Sequence, residues 1–164
     1  MEENARKINW FPGHMTKALK EIKRLLINID VVCYVLDSRA PISCINPSLN
    51  KLTQNKPVLY VFNKTDLADE KRVKIIAQNY KSENSDYYLL NSTMSGSSKM
   101  IRQKINNLAK NKIDKFSSKG IKTVVRAIVI GVPNSGKSTL VNNLCGKAKA
   151  ITGNRPGVTK QAQW

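Results

Sequence analysis

Eight residues towards the end of the chain have the spacing of a phosphate-binding loop. Gly131 to Ser138 reads Gly-Val-Pro-Asn-Ser-Gly-Lys-Ser, a complete GxxxxGK[ST] pattern. The glycines let backbone amides close around a phosphate. Lys137 is predicted to bridge the terminal phosphates of a nucleoside triphosphate, and Ser138 to offer its hydroxyl to Mg²⁺. An ordinary glycine turn is the alternative. The predicted nucleotide contacts of this loop are Pro133, Asn134, Ser135, Gly136, Lys137, Ser138 and Thr139.

A second polar cluster, Asn63-Lys64-Thr65-Asp66, follows a β-branched run and has the NKxD pattern. The carboxylate of Asp66 can accept two hydrogen bonds from guanine, one from N1–H and one from the exocyclic amine. Adenine offers its donor and acceptor the other way round and would leave Asp66 unpaired. A buried polar group that the wrong base leaves unpaired gives strong discrimination. Asn63 is predicted to tie the loop together, and the stem of Lys64 to lie on the base plane. A plain turn is the alternative, since Asn and Asp favour turns.

A third candidate, Ser92-Thr93, follows another short apolar run. Here the backbone amide of Thr93 is predicted to reach the guanine oxygen, and a simple strand-to-loop turn is equally compatible with the residues. The order along the chain is therefore base motif first and phosphate loop last. Ordinary GTPases have the reverse order. Ligands of such sheets bind at the carboxyl ends of the strands, so a cyclic shift of the chain preserves the pocket.

Short apolar runs alternate with amphipathic stretches, which predicts βαβ units and a mostly parallel sheet with helices on both faces, an α/β fold. A basic amphipathic helix is predicted over 16–29, and a connector over 116–122. The other predicted strands are 30–37, 57–62, 87–90 and 123–130, and the other predicted helices are 46–54, 68–81, 98–115 and 137–145.

Composition restricts the class of protein and its partners. The 164 residues contain 28 Lys and Arg against 11 Asp and Glu, a net charge of +17. Residues 87–164 contain one acidic residue, Asp114, so the second half carries most of the excess. Such a field attracts polyanions, nucleic acid above all. A basic surface without a specific partner is the alternative. The three widely spaced cysteines predict free thiols in a reducing cytoplasm, and neither a secretory signal nor a membrane span is predicted.

With its flanking segments, this reversed order resembles the circularly permuted GTPases, and most closely the bacterial ribosome biogenesis GTPase A family. Trp10-Phe11-Pro12-Gly13-His14-Met15 is similar to the family's N-terminal signature. Asp37-Ser38-Arg39-Ala40-Pro41 is similar to its DAR-x-P segment, with Ser38 in place of the usual Ala. Thr152 to Thr159 is similar to the switch segment after the phosphate loop. The resemblance extends over nearly the whole chain.

The resemblance implies further roles. Thr159 would be the switch threonine that contacts Mg²⁺ and the γ-phosphate, with an ordinary loop residue as the alternative. His14 would orient the attacking water, and packing in a turn or contact with RNA are its alternatives. Together with Lys137 these two are the predicted catalytic residues, and Ser138 and Thr159 the predicted metal ligands. The family's DxPG motif does not occur before Trp164. The expected fold is therefore a circularly permuted P-loop GTPase domain that is incomplete at its C-terminus.

The whole chain is expected to form one domain. Residues 1–29 hold the signature and basic helix, 30–115 the base-recognition half, and 123–164 the phosphate loop and switch segment. The expected function is Mg²⁺-dependent hydrolysis of GTP to GDP, by a monomeric assembly factor that binds rRNA of the large ribosomal subunit. Two alternatives remain open: another P-loop ATPase or kinase, and a nucleic-acid-binding module with a vestigial phosphate loop.

Overall fold

A computed structural model describes residues 13–91, 96 and 98–146 of the chain (the backbone alone for 13–18). Its centre is a four-stranded, fully parallel sheet in the order β3-β2-β1-β4. The strands are β1 (Val31–Asp37), β2 (Val58–Asn63), β3 (Ser85–Leu90) and β4 (Ala127–Ile130), and the helices are α1 (Gly13–Leu26), α2 (Pro47–Thr53), α3 (Glu70–Gln78), α4 (Ser98–Leu108), α5 (Lys110–Ser117) and α6 (Lys137–Cys145). This arrangement confirms the predicted α/β fold.

Both faces of the sheet are covered, which explains why the strands are apolar almost without alternation. Along β1, Tyr34 and Leu36 point into one core with residues of α1, α2 and α3. Cys33 and Val35 point into a second core, which α4 and α6 complete. The whole of β1 except its last residue is buried. The central strands therefore hold the ends of their loops rigidly.

Two predicted elements, one helix and one strand, differ from those in the structure. The helix predicted over 98–115 is two helices, because the chain breaks at the buried Ala109 between α4 and α5. The strand predicted over 123–130 begins only at Ala127, and the irregular connector therefore covers 118–126 instead of 116–122. Val124, which the prediction placed in this strand, is 74% exposed. The remaining elements occur where predicted, with ends that differ by a few residues.

The three cysteines are free thiols, as predicted, with Cys33 and Cys44 buried and Cys145 exposed. Burial raises the pKa of the Cys33 thiol to about 12. Within the described part of the chain, no helix combines the length and apolarity needed to cross a membrane.

Candidate nucleotide site

Two polar loops meet at the carboxyl edge of the sheet. One begins at Asn63, the last residue of β2; the other follows β4 and runs from Gly131 to Gly136. Strand β1 lies between β2 and β4, and its last residue, Asp37, pairs in register with Asn63. Because all strands are parallel, the two loops leave the sheet at the same edge despite their distance along the chain.

Asn63 joins the two loops directly. Its side chain is only 1% exposed, and Nδ2 donates a hydrogen bond of 2.8 Å to the backbone oxygen of Ser135, 72 residues away. Removal of a buried partner would leave a polar atom unsatisfied at a cost of about 1–3 kcal/mol. Asn63 therefore fixes the position of the phosphate loop relative to the NKxD loop.

Lys64 makes a second link between the loops. Its Nζ donates to the backbone oxygen of Asn134 at 2.6 Å and to Asp37 Oδ2 at 2.9 Å. Lys64 has φ 59° and Asn134 has φ 61°, the only two non-glycine residues with positive φ in the described part of the chain. Left-handed backbone at such residues costs about 1–2 kcal/mol each, and surrounding contacts must hold it in place. The strain is thus concentrated where the two loops touch.

Asp66 lies just beyond this contact, in a 3₁₀ turn formed by Thr65–Leu67. The amide of Leu67 donates to the oxygen of Lys64 at 3.0 Å and closes the turn. Asp66 itself is exposed. An exposed carboxylate on a hydrogen-bonded turn can accept paired hydrogen bonds from a planar base.

Backbone geometry explains the glycines of the phosphate loop. Gly131 has φ +148°, and a Cβ at this position would lie 2.3 Å from the backbone oxygen of Val35. Gly136 has φ 93° and precedes α6, whose first turn closes with Leu140 N donating to Gly136 O at 3.0 Å. The N-terminal amides of α6 therefore begin within the loop, where they favour an anion.

The side chains of this loop have contrasting surroundings. Lys137 Nζ donates to the backbone oxygen of Val132 at 2.8 Å, across the loop, and desolvation by burial lowers the pKa of Lys137. The hydroxyl of Ser135 is buried and has no hydrogen-bond partner among the described residues. Ser138 and Thr139 lie in the first turn of α6 and are half-buried. This arrangement combines amides, a cation and hydroxyls around one concave backbone.

Asp37 and Arg39 also belong to this edge, although the motifs alone gave them no role. Arg39 binds both carboxylate oxygens of Asp37, with Nε–Oδ1 at 2.9 Å and Nη2–Oδ2 at 2.7 Å. These bonds, together with the one from Lys64, hold the pKa of Asp37 well below its usual range, although burial opposes the shift. The sequence feature that could have identified Asp37 is a carboxylate at the end of a buried strand beside the NKxD strand.

Some predicted site residues fall outside this description. Ser92, Thr93 and Thr159 are not among the described residues. His14 lies in the first turn of α1, where the backbone alone is described. Of the predicted contacts, the structure brings together Asn63, Lys64 and the loop from Pro133 to Thr139, with Asp66 at their margin.

Nearly the whole chain is similar in sequence to ribosome biogenesis GTPase A. The protein of that name from Bacillus licheniformis is 40% identical over 158 residues, which is 96% of this chain and 56% of that protein. This chain is its homologue. A probable ribosome biogenesis GTPase A from Mycoplasma pneumoniae is 36% identical over 98% of this chain and 56% of its own length. The chain thus spans about half the length of the ribosome biogenesis GTPase A proteins it matches.

Two further comparisons agree with this homology and confirm the family resemblance predicted from the motifs. Residues 126–164 match the family model of the 50S ribosome-binding GTPase. The crystal structure of GNP-bound YlqF from Thermotoga maritima superimposes with a TM-score of 0.55 at 28% identity, covering 83% of this chain and 51% of that one. The GDP-bound YlqF structure gives 0.52 over 77% of this chain. The fold seen here is therefore similar to that of YlqF.

Proposed function

We propose that this chain binds GTP between the NKxD loop and the phosphate loop and hydrolyses it to GDP and phosphate. The observation that carries the proposal is the pair of contacts that joins the loops, from Asn63 to Ser135 and from Lys64 to Asn134. A guanine nucleotide has its base at one end and its phosphates at the other. Two rigidly linked loops, one suited to each end, match that shape.

Each loop is assigned a part of the nucleotide. Asp66 accepts hydrogen bonds from the guanine edge, the stem of Lys64 covers the base, and the amide of Thr93 beside Ser92 binds the guanine oxygen. The amides from Pro133 to Thr139 surround the phosphates, and Lys137 neutralises the terminal ones. The partial burial of Lys137 supports this role, because a desolvated ammonium interacts more strongly with an anion.

The donors present also fit Mg²⁺, a hard cation that prefers oxygen ligands. Ser138 presents a hydroxyl in the first turn of α6, and Thr159 would add a second one from the switch segment. The ion would neutralise charge on the phosphates. Among the described residues there is no cluster of three or more His, Cys, Asp or Glu side chains that could hold a metal ion.

We assign to His14 the role of orienting the water molecule that attacks the γ-phosphate.

We further propose that the protein acts in the cytoplasm as a monomer that binds rRNA during assembly of the large ribosomal subunit. The homology to ribosome biogenesis GTPase A supports this role. A basic surface on α4, α5 and the following segment supports an RNA partner. A single exposed acidic residue, Asp114, lies among its exposed cations. These cations are Lys99, Arg102, Lys110, Lys115, Lys119, Lys122 and Arg126.

The nucleotide assignment is tested by competition binding with GTP, ATP and XTP. Asp66→Asn should lower GTP affinity at least tenfold and favour XTP, because the amide offers a donor to the second carbonyl of xanthine. Lys137→Ala should weaken all triphosphates alike. The matched control, Asp69→Ser, changes an exposed carboxylate three residues away and should leave affinities unchanged. A wild-type preference for ATP, or GTP binding indifferent to Asp66→Asn, would refute the assignment.

A further inference from the structure

Asp37, the last residue of β1, contacts both the NKxD loop and the segment that follows its own strand. Its side chain is 14% exposed. Oδ2 receives Lys64 Nζ at 2.9 Å, and both oxygens receive Arg39. In register, Asp37 lies beside Asn63 on β2. The carboxylate is therefore fixed at the centre of the edge, between the two loops.

We propose that Asp37 is a positioning residue for the guanine nucleotide, whose carboxylate holds Lys64 against the phosphate loop. The inference rests on the proposed function. Lys64 Nζ is held between two oxygens, Asp37 Oδ2 and the backbone oxygen of Asn134. These two contacts fix the direction of the lysine stem, which would otherwise have four rotatable bonds and lose much entropy on ordering.

The ion pair also counters backbone strain. Lys64 and Asn134 both have left-handed backbone, and the Lys64 ammonium is the group that connects them. Without its counter-charge, the ammonium would gain from turning towards water, and the bond to Asn134 would weaken. Both the base loop and the phosphate loop would then lose preorganisation, so affinity for GTP and GDP should fall together.

The same strand supplies a matched control at its other end. Asp30 precedes β1 and binds Lys112 Nζ at 2.8 Å, with side chains 18% and 27% exposed. The pair of Asp37 and Lys64 has a 2.9 Å contact and side chains 14% and 25% exposed. Both aspartates have a lowered pKa. The pairs differ in location, because Asp30 and Lys112 lie at the amino edge, away from both loops, and in the second partner of the aspartate, which is the Arg39 side chain for Asp37 and the Arg126 amide for Asp30.

The experiment measures GTP and GDP dissociation constants of Asp37→Asn and Asp30→Asn by titration calorimetry, with thermal melting in the absence of nucleotide. Asp37→Asn should weaken both nucleotides about tenfold, whereas Asp30→Asn should change neither by more than about twofold. Both variants should lower the melting temperature to a similar extent. Equal nucleotide affinities in the two variants would overturn the inference.

A double-mutant cycle separates positioning from general structural support. In a Lys64→Met background, Asp37→Asn should cause no further loss of affinity, because the lysine through which the carboxylate acts is absent. The same tenfold loss in both backgrounds would contradict a role exercised through Lys64. If Asp37→Asn does not fold, Asp37→Glu enters the same cycle, since it keeps the charge but moves the carboxylate by one methylene.

Comparison of Asp37→Asn with Asp66→Asn distinguishes the inference from the proposed function. Suppose that the wild-type protein binds GTP, that Asp66→Asn abolishes this binding and that Asp37→Asn leaves it unchanged. This result would overturn the positioning role alone. Wild-type protein that binds neither GTP nor GDP would overturn both, starting with the assignment of the site.

Discussion

Gly131 shows how little freedom the phosphate loop has at the scale of a single residue. The backbone oxygen of Val35 lies where a Cβ would be placed, and φ is in the left-handed region. Steric overlap with backbone cannot be relieved by a side-chain rotation, so the neighbouring strand itself must move. The segment that follows β4 can therefore lie this close to β1 only because residue 131 is a glycine.

Gly131→Ala should lower the free energy of unfolding by about 3 kcal/mol, because the added methyl group displaces β1 or the loop. Urea denaturation with and without GTP measures both this destabilisation and the expected weakening of binding. Gly120→Ala is the control: φ is +69° there, but nothing lies within 4 Å of the added Cβ. Its cost should be about 1 kcal/mol, with GTP affinity unchanged. Equal destabilisation in the two variants would contradict the steric explanation.

The residues that the motifs identify are those whose chemistry is set by type and spacing. Asn63, Asp66 and Lys137 could be selected from sequence because few residue types can perform their roles. The contacts of Lys64 with Asp37 and Asn134 could not, because they depend on which strands are neighbours in the sheet. The roles assigned to His14, Ser92, Thr93 and Thr159 stay predictions.

At the scale of elements, continuous apolar runs predicted the strands well, since burial on both faces leaves a strong signal. The first residues of the run before β4 are an exception. The amide of Arg126 donates to Asp30 Oδ2 at 2.8 Å, so this side-chain bond replaces a ladder bond and pairing with β1 begins at Ala127. The break at Ala109 has no glycine or proline to indicate it. It arises from tertiary packing, because Ala109 is buried against the sheet.

Helix α3, which follows the NKxD loop, depends on its cap. Asp69 Oδ1 accepts from the amides of Lys71 and Arg72 at 3.0 and 3.2 Å. Asp69→Ala should therefore destabilise the protein by about 1 kcal/mol, measured by urea denaturation. Asp69→Ser restores a capping oxygen and should recover most of this stability. Glu83→Ala removes an exposed carboxylate from a turn and should have little effect. Similar destabilisation in Asp69→Ser and Asp69→Ala would rule out capping as the cause.

At the scale of the whole molecule, the two faces of the sheet differ in how many exposed carboxylates accompany their cations. The face of α4 and α5 carries the basic surface with Asp114 as its one exposed acidic residue, whereas on the opposite face, which also carries the basic α1, α3 has Asp69 and Glu70 beside its cations. Ion pairs on the basic side neutralise Lys104 and Lys112, but Lys115, Lys119 and Lys122 have no ion pair among the described residues. Such cations are available to phosphates.

Simultaneous substitution of Lys115, Lys119 and Lys122 by Ala should weaken binding to a large-subunit rRNA transcript and reduce its salt dependence. For every phosphate that is no longer neutralised, the slope of log K against log salt should fall by about one unit. The control replaces Lys71, Lys74 and Lys81, which are exposed on or after α3. It removes the same charge from the other face. Equal weakening in both triple variants would mean that net charge alone drives the association.

The place of β4 in the sheet has a consequence for biosynthesis. Strands β1, β2 and β3 leave the translating ribosome first and can pair with each other, since β2 lies between the other two. The chain reaches β4 nearly a hundred residues after β1, and Ser135 can contact Asn63 only once β4 has paired with β1. Such long-range pairing forms slowly. During synthesis, β1, β2 and β3 are therefore available for pairing before the phosphate loop has been made, and the two loops can be joined only in a nascent chain that extends beyond Ser135.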